Sequence, residues 1–422
     1  MKIGFISLGC AKALVDTEIM MGKLRQEGHT IVPSLEEADL VVINTCAFLK
    51  EAREEGFSTI EEVVEKGKPV VVAGCMVNWL GEELRRKFPS LISLVGTEDI
   101  ERITEAIKGK IPHSESYYLP SSKTPRFLST PPTWAYMKIS EGCSRRCSFC
   151  IIPKIRGPYR SREIDDLVQE AKILEERGVA EINLISQDST YFGRERGEKL
   201  KHLLEALLRS TKKAKFRLLY LYPSPVVEEI LPLFSHPRLL PYFDIPFQHS
   251  HPEVLRSMGR PGDGDDYLRL IEKIREKVED ATIRTSLIVG FPSEGGKEFR
   301  HLLDWVKRAR VDRLGVFKYS RERGSSAWPL GDPVSEKEKE KRMGEVLEVQ
   351  REISLRKHRK MVGRVMEVLV EGRVQDGIYF TRSSHFAPEV DGGIYVLGEL
   401  KGPWARVKIT HAHPYDLEGE AL

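Results

Sequence analysis

The chain has 422 residues, 31 % of them charged, with 66 Lys plus Arg against 63 Asp plus Glu. That length exceeds one ordinary core and predicts two or three domains, and the near balance of charge argues against a general nucleic-acid binder. No apolar run approaches a membrane span, and Lys12 and Asp16 interrupt what would be a signal peptide; the expected setting is reducing cytoplasm.

Residues 1–111 alternate short Val/Ile-rich runs with helical patterns at Val15–Gln26, Lys50–Glu65, Glu82–Lys87 and Ile100–Lys108. The apolar runs Lys2–Cys10, Asp39–Cys46 and Pro69–Cys75 read as buried parallel strands, giving a small α/β domain. Residues 112–133 are rich in Pro, Ser and Thr and predict a connector, or a strap lying on a neighbour. From 134 to 361 a strand–helix pattern repeats six times. Its strands are Trp134–Ser140, Ala180–Ser186, Phe216–Tyr222, Tyr242–Phe247, Thr282–Val289 and Arg313–Tyr319. The first helix carries the stripe Ile164, Leu167, Val168, Ala171 and Leu174. Six βα units predict a partial (βα)6 barrel with its chemistry at the carboxyl ends of the strands. A charged helix over Glu336–Met361 follows. Residues 362–422 then carry short strands separated by Gly and Asp, a small all-β barrel or sandwich.

The six cysteines fall into two triples. Cys143, Cys147 and Cys150 share one loop directly after the first barrel strand. Three thiolates on such a loop hold three irons of a 4Fe–4S cube and leave the fourth open to a substrate or cofactor, whereas electron-transfer clusters are normally closed by four. Cys10, Cys46 and Cys75 each end an apolar run. In an open α/β sheet ligands gather beyond the carboxyl ends of the strands, so these three converge either as a second metal site or as buried packing residues. Disulfides are possible by count, the more so since three Asn and six Gln against so many charges resemble a heat-adapted composition. Zinc would want a fourth Cys or His, and neither triple has an obvious one nearby.

Cys143-Ser-Arg-Arg-Cys147-Ser-Phe149-Cys150 resembles the signature of the radical S-adenosylmethionine (SAM) superfamily. That resemblance implies SAM chelated to the open iron, reductive cleavage to a 5′-deoxyadenosyl radical, and Phe149 near the adenine. Ser7-Leu-Gly-Cys10-Ala-Lys12, Asn44-Thr-Cys46 and Gly74-Cys75 are similar to the N-terminal domain of the methylthiotransferases of that superfamily. There, three such cysteines hold an auxiliary 4Fe–4S cluster that carries the sulfur to be inserted. The tail is similar to a TRAM domain, which grips the macromolecular substrate. The resemblance therefore implies two 4Fe–4S clusters, SAM as radical source and as methyl donor, an external electron donor and a sulfur donor.

One branch of the family modifies an adenosine derivative of transfer RNA, the other an aspartate of ribosomal protein twelve of the small subunit. Ser186-Gln-Asp-Ser189 with Tyr191, Asp244-Ile-Pro-Phe-Gln-His249, and Arg382-Ser…Ala387-Pro-Glu-Val-Asp-Gly392 are similar to the second. From Lys360 to Leu422 there are seven basic and nine acidic residues, which suits a basic protein partner better than RNA. Glu389 and Asp391 are thus expected to face the substrate, and the tail to act as a separable capture module. Gly290-Phe-Pro-Ser-Glu294 resembles the SAM-contacting turn, although Ser293 and Gly295-Gly296 depart from the family pattern and leave Glu294 unassigned. Gln187 and Asp188 end a strand and either contact SAM or substrate or cap the next helix or loop. Lys154, Arg156, Arg160 and Arg162 read as a solvated loop or a carboxylate binder, and His249 and His251 as structural.

Overall fold

A computed structural model describes residues 1–111, 114 and 116–422. Pro112, His113 and Glu115 of the expected connector lie outside the described residues. The first unit contains β1 (Lys2–Ser7), α1 (Ala11–Gln26), β2 (Thr30–Val32), β3 (Leu40–Thr45), α2 (Lys50–Glu65), β4 (Val70–Gly74), α3 (Cys75–Lys87), β5 (Ser93–Val95) and the short α4 (Ile103–Ala106). Its parallel sheet has the order β2-β1-β3-β4-β5. β3 and β4 are buried along their whole length, as the continuous Val/Ile runs require. The order reverses at β1, so the crevice at the switch point opens between β1 and β3. Cys10, Cys46 and Cys75 follow the adjacent strands β1, β3 and β4. That is the convergence the sequence left open.

The central unit contains β6 (Trp134–Lys138), β7 (Ser140–Glu141), α5 (Ile152–Arg156), β8 (Arg160–Ser161), α6 (Ile164–Glu176), β9 (Glu181–Ile185), α7 (Leu200–Ser210), β10 (Lys215–Leu218), α8 (Pro225–Ile230), β11 (Tyr242–Asp244), α9 (Pro252–Ser257), α10 (Gly264–Lys277), β12 (Thr282–Val289), α11 (Gly296–Ala309), β13 (Arg313–Lys318) and α12 (Glu336–Arg359). The six main strands form two parallel triplets, β6-β9-β10 and β11-β12-β13. A bridge from Phe216 to Leu239 and the bond from Leu221 N to Asp244 O carry the wall across the gap. The result is an incomplete barrel, as expected, with β10 and β11 shorter than the apolar runs suggested. The β7–β8 pairing bends the chain directly before the cysteine loop.

The connector behaves as a strap. Ser129 donates through N and Oγ to Glu18 of α1, Arg126 pairs with both Glu18 and Glu170 of α6, and Ser122 N bonds Asp166. It therefore stitches α1 of the N-terminal unit to α6 of the barrel.

The last unit is a closed barrel of β14 (Val365–Gln375), β15 (Ile378–Arg382), β16 (Ile394–Leu397), β17 (Trp404–Ala412) and β18 (Leu417–Ala421). It seals the amino-terminal end of the (βα)6 barrel. Glu181, the first residue of β9, accepts from Arg217 of β10 at 3.2 Å and from Arg382 of β15 at 3.0 Å, all three fully buried. Burial alone would raise the Glu181 carboxyl; the two guanidinium groups reverse this and hold it at about 2. The segment between β15 and β16 enters the barrel as a plug. Arg217 donates to the carbonyls of Ser383 and Ser384, and Thr282 Oγ1 bonds His385 Nδ1.

The plug carries the acidic pair at this seam. The Asp391 carboxylate, 3 % exposed, accepts from Tyr242 OH at 2.5 Å and Ala387 N at 2.9 Å, with Arg284 Nε 3.7 Å away. Glu389 lies on the surface, yet its Oε2 accepts from Tyr136 OH at 2.9 Å. Both carboxylates bond barrel tyrosines, so charge reversal there would disturb the seam as well as any capture. Removing 364–422 is accordingly expected to uncover Glu181, Arg217 and Tyr242 and lower the thermal midpoint of the remaining chain; an unchanged melt would make the unit separable after all.

The seam also predicts acid sensitivity. Burial, reinforced by Arg313, holds His358 down at about 4, and burial holds His385 at about 4. His358 Nε2 faces Arg313 at 2.7 Å and Nδ1 faces His413 O at 2.6 Å, which fixes a neutral ring donating to the carbonyl. Because the folded protein resists protonating these rings, their contribution is complete above the ordinary value near 6.5 and is lost as pH falls towards 4. By pH 5 each costs roughly 2 kcal/mol. Thermal melts should fall between pH 7 and 5, and the double variant His358→Gln, His385→Gln should flatten that profile.

Candidate active site

The loop carrying Cys143, Cys147 and Cys150 is clamped at both ends. Gly142 sits at φ +78°, where an added Cβ would meet Pro158 O at 2.1 Å. Cys143 N donates to Gly157 O, Ser148 N to Met258 O, and Ala327 N to Ser148 O. Phe149 packs against Val254, Met258, Phe291, Tyr319 and Ala327 beside the loop. Two arginines flank the thiols. Arg145 lies 3.9 Å and Arg260 4.1 Å from the Tyr222 ring centroid; Arg145 pairs with Asp188 at 2.6 Å and Arg260 NH1 lies 3.6 Å from Cys147 Sγ. Burial pushes Cys143 up to about 11 and Cys150 up to about 12.

The second triple faces this loop from the N-terminal unit. Cys10 caps α1 and Cys75 opens α3, so two of its thiols sit at helix amino ends. A Cβ on Gly9 would lie 3.1 Å from Cys46 Cβ, which sets how closely the loops after β1 and β3 approach. Cys75 is buried and pushed up to about 12; Cys10 remains accessible. Partial desolvation would raise the Cys10 thiol, but Lys12 and Arg156 more than offset it and lower it.

A buried ionic bridge links the two triples. Arg156, at the end of α5, donates from Nε to Cys75 Sγ at 3.2 Å, from NH1 to Glu141 Oε2 at 2.9 Å and from NH2 to Asp16 Oδ2 at 3.0 Å. Lys138 Nζ joins the same two carboxylates at 2.5 and 2.7 Å. Glu141 Oε1 accepts from Gln187 Nε2 at 2.5 Å. Burial would raise the Glu141 carboxyl, yet Arg156 and Lys138 hold it well below the usual range. Of the two readings of Arg156, solvated loop or carboxylate binder, the structure buries the side chain against two carboxylates of the chain itself. Arg162 is likewise buried, paired with Asp166 and Glu170.

The remaining expected residues divide. Gln187 follows the carboxyl end of β9, and its Oε1 is buried without a hydrogen-bond partner among the described residues. Asp188 caps Thr190 N at 2.9 Å as well as pairing with Arg145. Gly290 has φ +76°, and a Cβ there would strike Lys339 Cγ at 2.4 Å. Its N–H donates to Glu294 Oε1 at 2.7 Å, and Glu294 also holds Arg342 and His249. Glu294 is therefore the brace of this turn, and His249 is structural. Asp16, Lys138, Glu141, Arg145, Tyr222 and Arg260 carry no signal in the sequence, since each acts through a partner from another segment.

All six cysteines are free thiols. Among the described residues neither triple brings its three sulfurs within 4.8 Å of one another. One tetrahedral zinc, with Zn–S bonds of about 2.3 Å, would draw its ligands closer than that. The all-thiol donor sets and flanking cations fit an anionic iron–sulfur cluster.

The profile of the radical SAM superfamily matches residues 137–306, that of uncharacterized protein family UPF0004 residues 2–96, and that of the TRAM domain residues 362–422. The ribosomal protein uS12 methylthiotransferase RimO of Aquifex aeolicus is 43 % identical over 427 residues, covering 99 % of this chain and 97 % of that one. A counterpart in Thermus thermophilus is 41 % identical over 433 residues and 99 % of both chains. The chain belongs to the RimO family. Like other RimO-family members it is a radical SAM methylthiotransferase, using SAM and 4Fe–4S clusters. Among solved structures, the radical SAM methyltransferase TsrM of Kitasatospora setae aligns with TM-score 0.54 at 16 % identity, over 75 % of this chain and 72 % of that one, a likeness of fold alone. No helix among the described residues is long and apolar enough to cross a membrane.

Proposed function

We propose that this enzyme replaces a β-hydrogen of an aspartate in ribosomal protein uS12 with a methylthio group. The observation that carries the reading is the bridge Cys75–Arg156–Glu141, which ends two residues before Cys143 and so joins two three-thiol sites across one cleft. Such a pairing suits a reaction in which a radical made at one site is quenched by sulfur held at the other. A cluster bound by Cys143, Cys147 and Cys150 would supply the electron that cleaves SAM, and one bound by Cys10, Cys46 and Cys75 would present the sulfur.

The chain's own residues position and enclose. Phe149 offers an apolar face beside the SAM loop, Gln187 an acceptor for a SAM or substrate donor, and the Gly290 turn a backbone surface kept in shape by Glu294. Arg145 and Arg260, stacked on Tyr222, bring positive charge to the loop that would hold an anionic cluster. The identity shared with uS12 methylthiotransferases over the full chain supports the substrate. An electron donor and a sulfur donor complete the cycle, and the expected setting is the cytoplasm.

The test is mass spectrometry of uS12 after anaerobic incubation with reconstituted enzyme, SAM and reductant, followed by peptides around the modified residue. A peptide should gain one methylthio group in place of hydrogen, and its Asp→Ala version none. Equal modification of both peptides would remove aspartate as the acceptor.

A further inference from the structure

Lys12 is the buried cation of this cleft whose charge no carboxylate answers. It lies two residues after Cys10, in the first turn of α1, and is 7 % exposed. Its Nζ donates to the carbonyl of Ser186, just past the end of β9, at 3.2 Å, and stands 3.4 Å above the centroid of Tyr220, just past β10. The neighbouring cations differ. Lys138 and Arg156 share Asp16 and Glu141, Arg145 has Asp188, and Arg260 faces Cys147. Among the described residues Lys12 has no ion pair.

The site is built to hold that ammonium in place. Tyr220 is held at φ +60°, a conformation rare for a side chain of this size. Its N–H donates to Asp244 Oδ2 at 3.0 Å, and Arg284 fixes the other oxygen of Asp244 at 2.8 Å. A strained backbone therefore turns the ring under Lys12. An ammonium has three donors, and one carbonyl and one ring face leave it capacity for another acceptor. Apart from the Cys10 thiol, no acidic side chain among the described residues answers this buried charge, and a cation–π contact recovers only part of the cost of burying it. Such an arrangement is suited to an anion that arrives and leaves.

We infer that Lys12 binds the side-chain carboxylate of the substrate aspartate and is a determinant of a carboxylate-bearing substrate over a nucleobase. The inference rests on the proposed function and deepens it. In aspartate the β-carbon is bonded directly to the carboxyl carbon, so gripping the carboxylate places the reacting carbon. Lys12 does this at the barrel mouth, on the side of Cys10, where the sulfur would be presented. A neutral adenine offers no such anion. Lys12 thus acts as a substrate-binding group supplied by the N-terminal unit to a cleft otherwise walled by the barrel.

The test is a binding cycle on the full-length reconstituted protein. The probes are a peptide spanning the aspartate modified by the unaltered enzyme and its Asp→Asn twin, each measured anaerobically by fluorescence anisotropy without turnover. The unaltered protein should bind the Asp peptide about tenfold or more tightly than the Asn peptide. Lys12→Met should bind both alike, with SAM affinity and iron content unchanged, and Lys12→Arg should keep part of the preference. Should Lys12→Met lose iron, Lys12→Arg and Lys12→Gln decide: preference that follows the charge supports the inference, and preference indifferent to it overturns it. A wild-type Asp/Asn ratio in Lys12→Met also overturns it, as does a loss confined to SAM affinity. If the unaltered protein modifies no aspartate, the proposed function itself fails, and that outcome is distinct from any of these.

Discussion

Replacing Cys143, Cys147 and Cys150 together by Ala is expected to abolish SAM cleavage and leave about half the iron of the reconstituted protein, if each triple holds one cluster. Replacing Cys10, Cys46 and Cys75 should remove the other half yet preserve reductive formation of 5′-deoxyadenosine, with no methylthio product. The asymmetry follows from position. The first triple shares its loop with Phe149 and faces Arg145 and Arg260 in the barrel, whereas the second follows the strands of a separate sheet. Iron analysis and chromatography of the nucleoside products check both arms. Full iron in either variant would show that its triple binds no cluster, and product from the second variant would move the sulfur source elsewhere.

Loss of Arg156 should be the most damaging single change to the cleft. It is buried and donates at once to a thiol and two carboxylates from different units. In Arg156→Ala, Asp16 and Glu141 are left to share Lys138, so an uncompensated buried charge remains. Breaking a buried ionic network this way costs about 3–5 kcal/mol, a large fraction of the roughly 5–15 kcal/mol that holds a typical domain. Arg156→Lys keeps the charge but lacks the planar fork needed to reach three partners, so it should fall between. Thermal melts measure the stability. Iron retention in a background lacking the other three cysteines measures the effect on the Cys10, Cys46 and Cys75 site. A melt within one or two degrees of the unaltered protein would show that the bridge contributes little.

Much of the architecture is legible in the chain because its signals are local. Val/Ile runs and 3.6-residue stripes place the sheet, the barrel helices and the long α12, which buries Val346, Gln350 and Ile353. Three-residue edge strands such as Thr30–Val32 and Ser93–Val95 escape a pattern that needs longer runs. α3 begins at Cys75, seven residues ahead of its expected start, because Gly74 gives no side-chain cap signal before it.

The cleft is harder to read, for a physical reason. Arg156 and Arg162 look like a solvated basic loop in one dimension, because Asp16, Glu141 and Glu170 that bury them come from other segments. Asp391 looks like part of an acidic docking face until the chain returns it to Tyr242 inside the barrel. Cysteines announce a site by residue type alone. Ion pairs announce nothing until the fold brings their halves together.

The most direct measurement offers reconstituted enzyme, SAM and reductant a mixture of uS12 and transfer RNA, then reads both by mass spectrometry. The expected result is one methylthio group on an aspartate of uS12, unmodified RNA, and no uS12 product from the Cys10, Cys46, Cys75 variant. Methylthiolated adenosine beside untouched uS12 would contradict it.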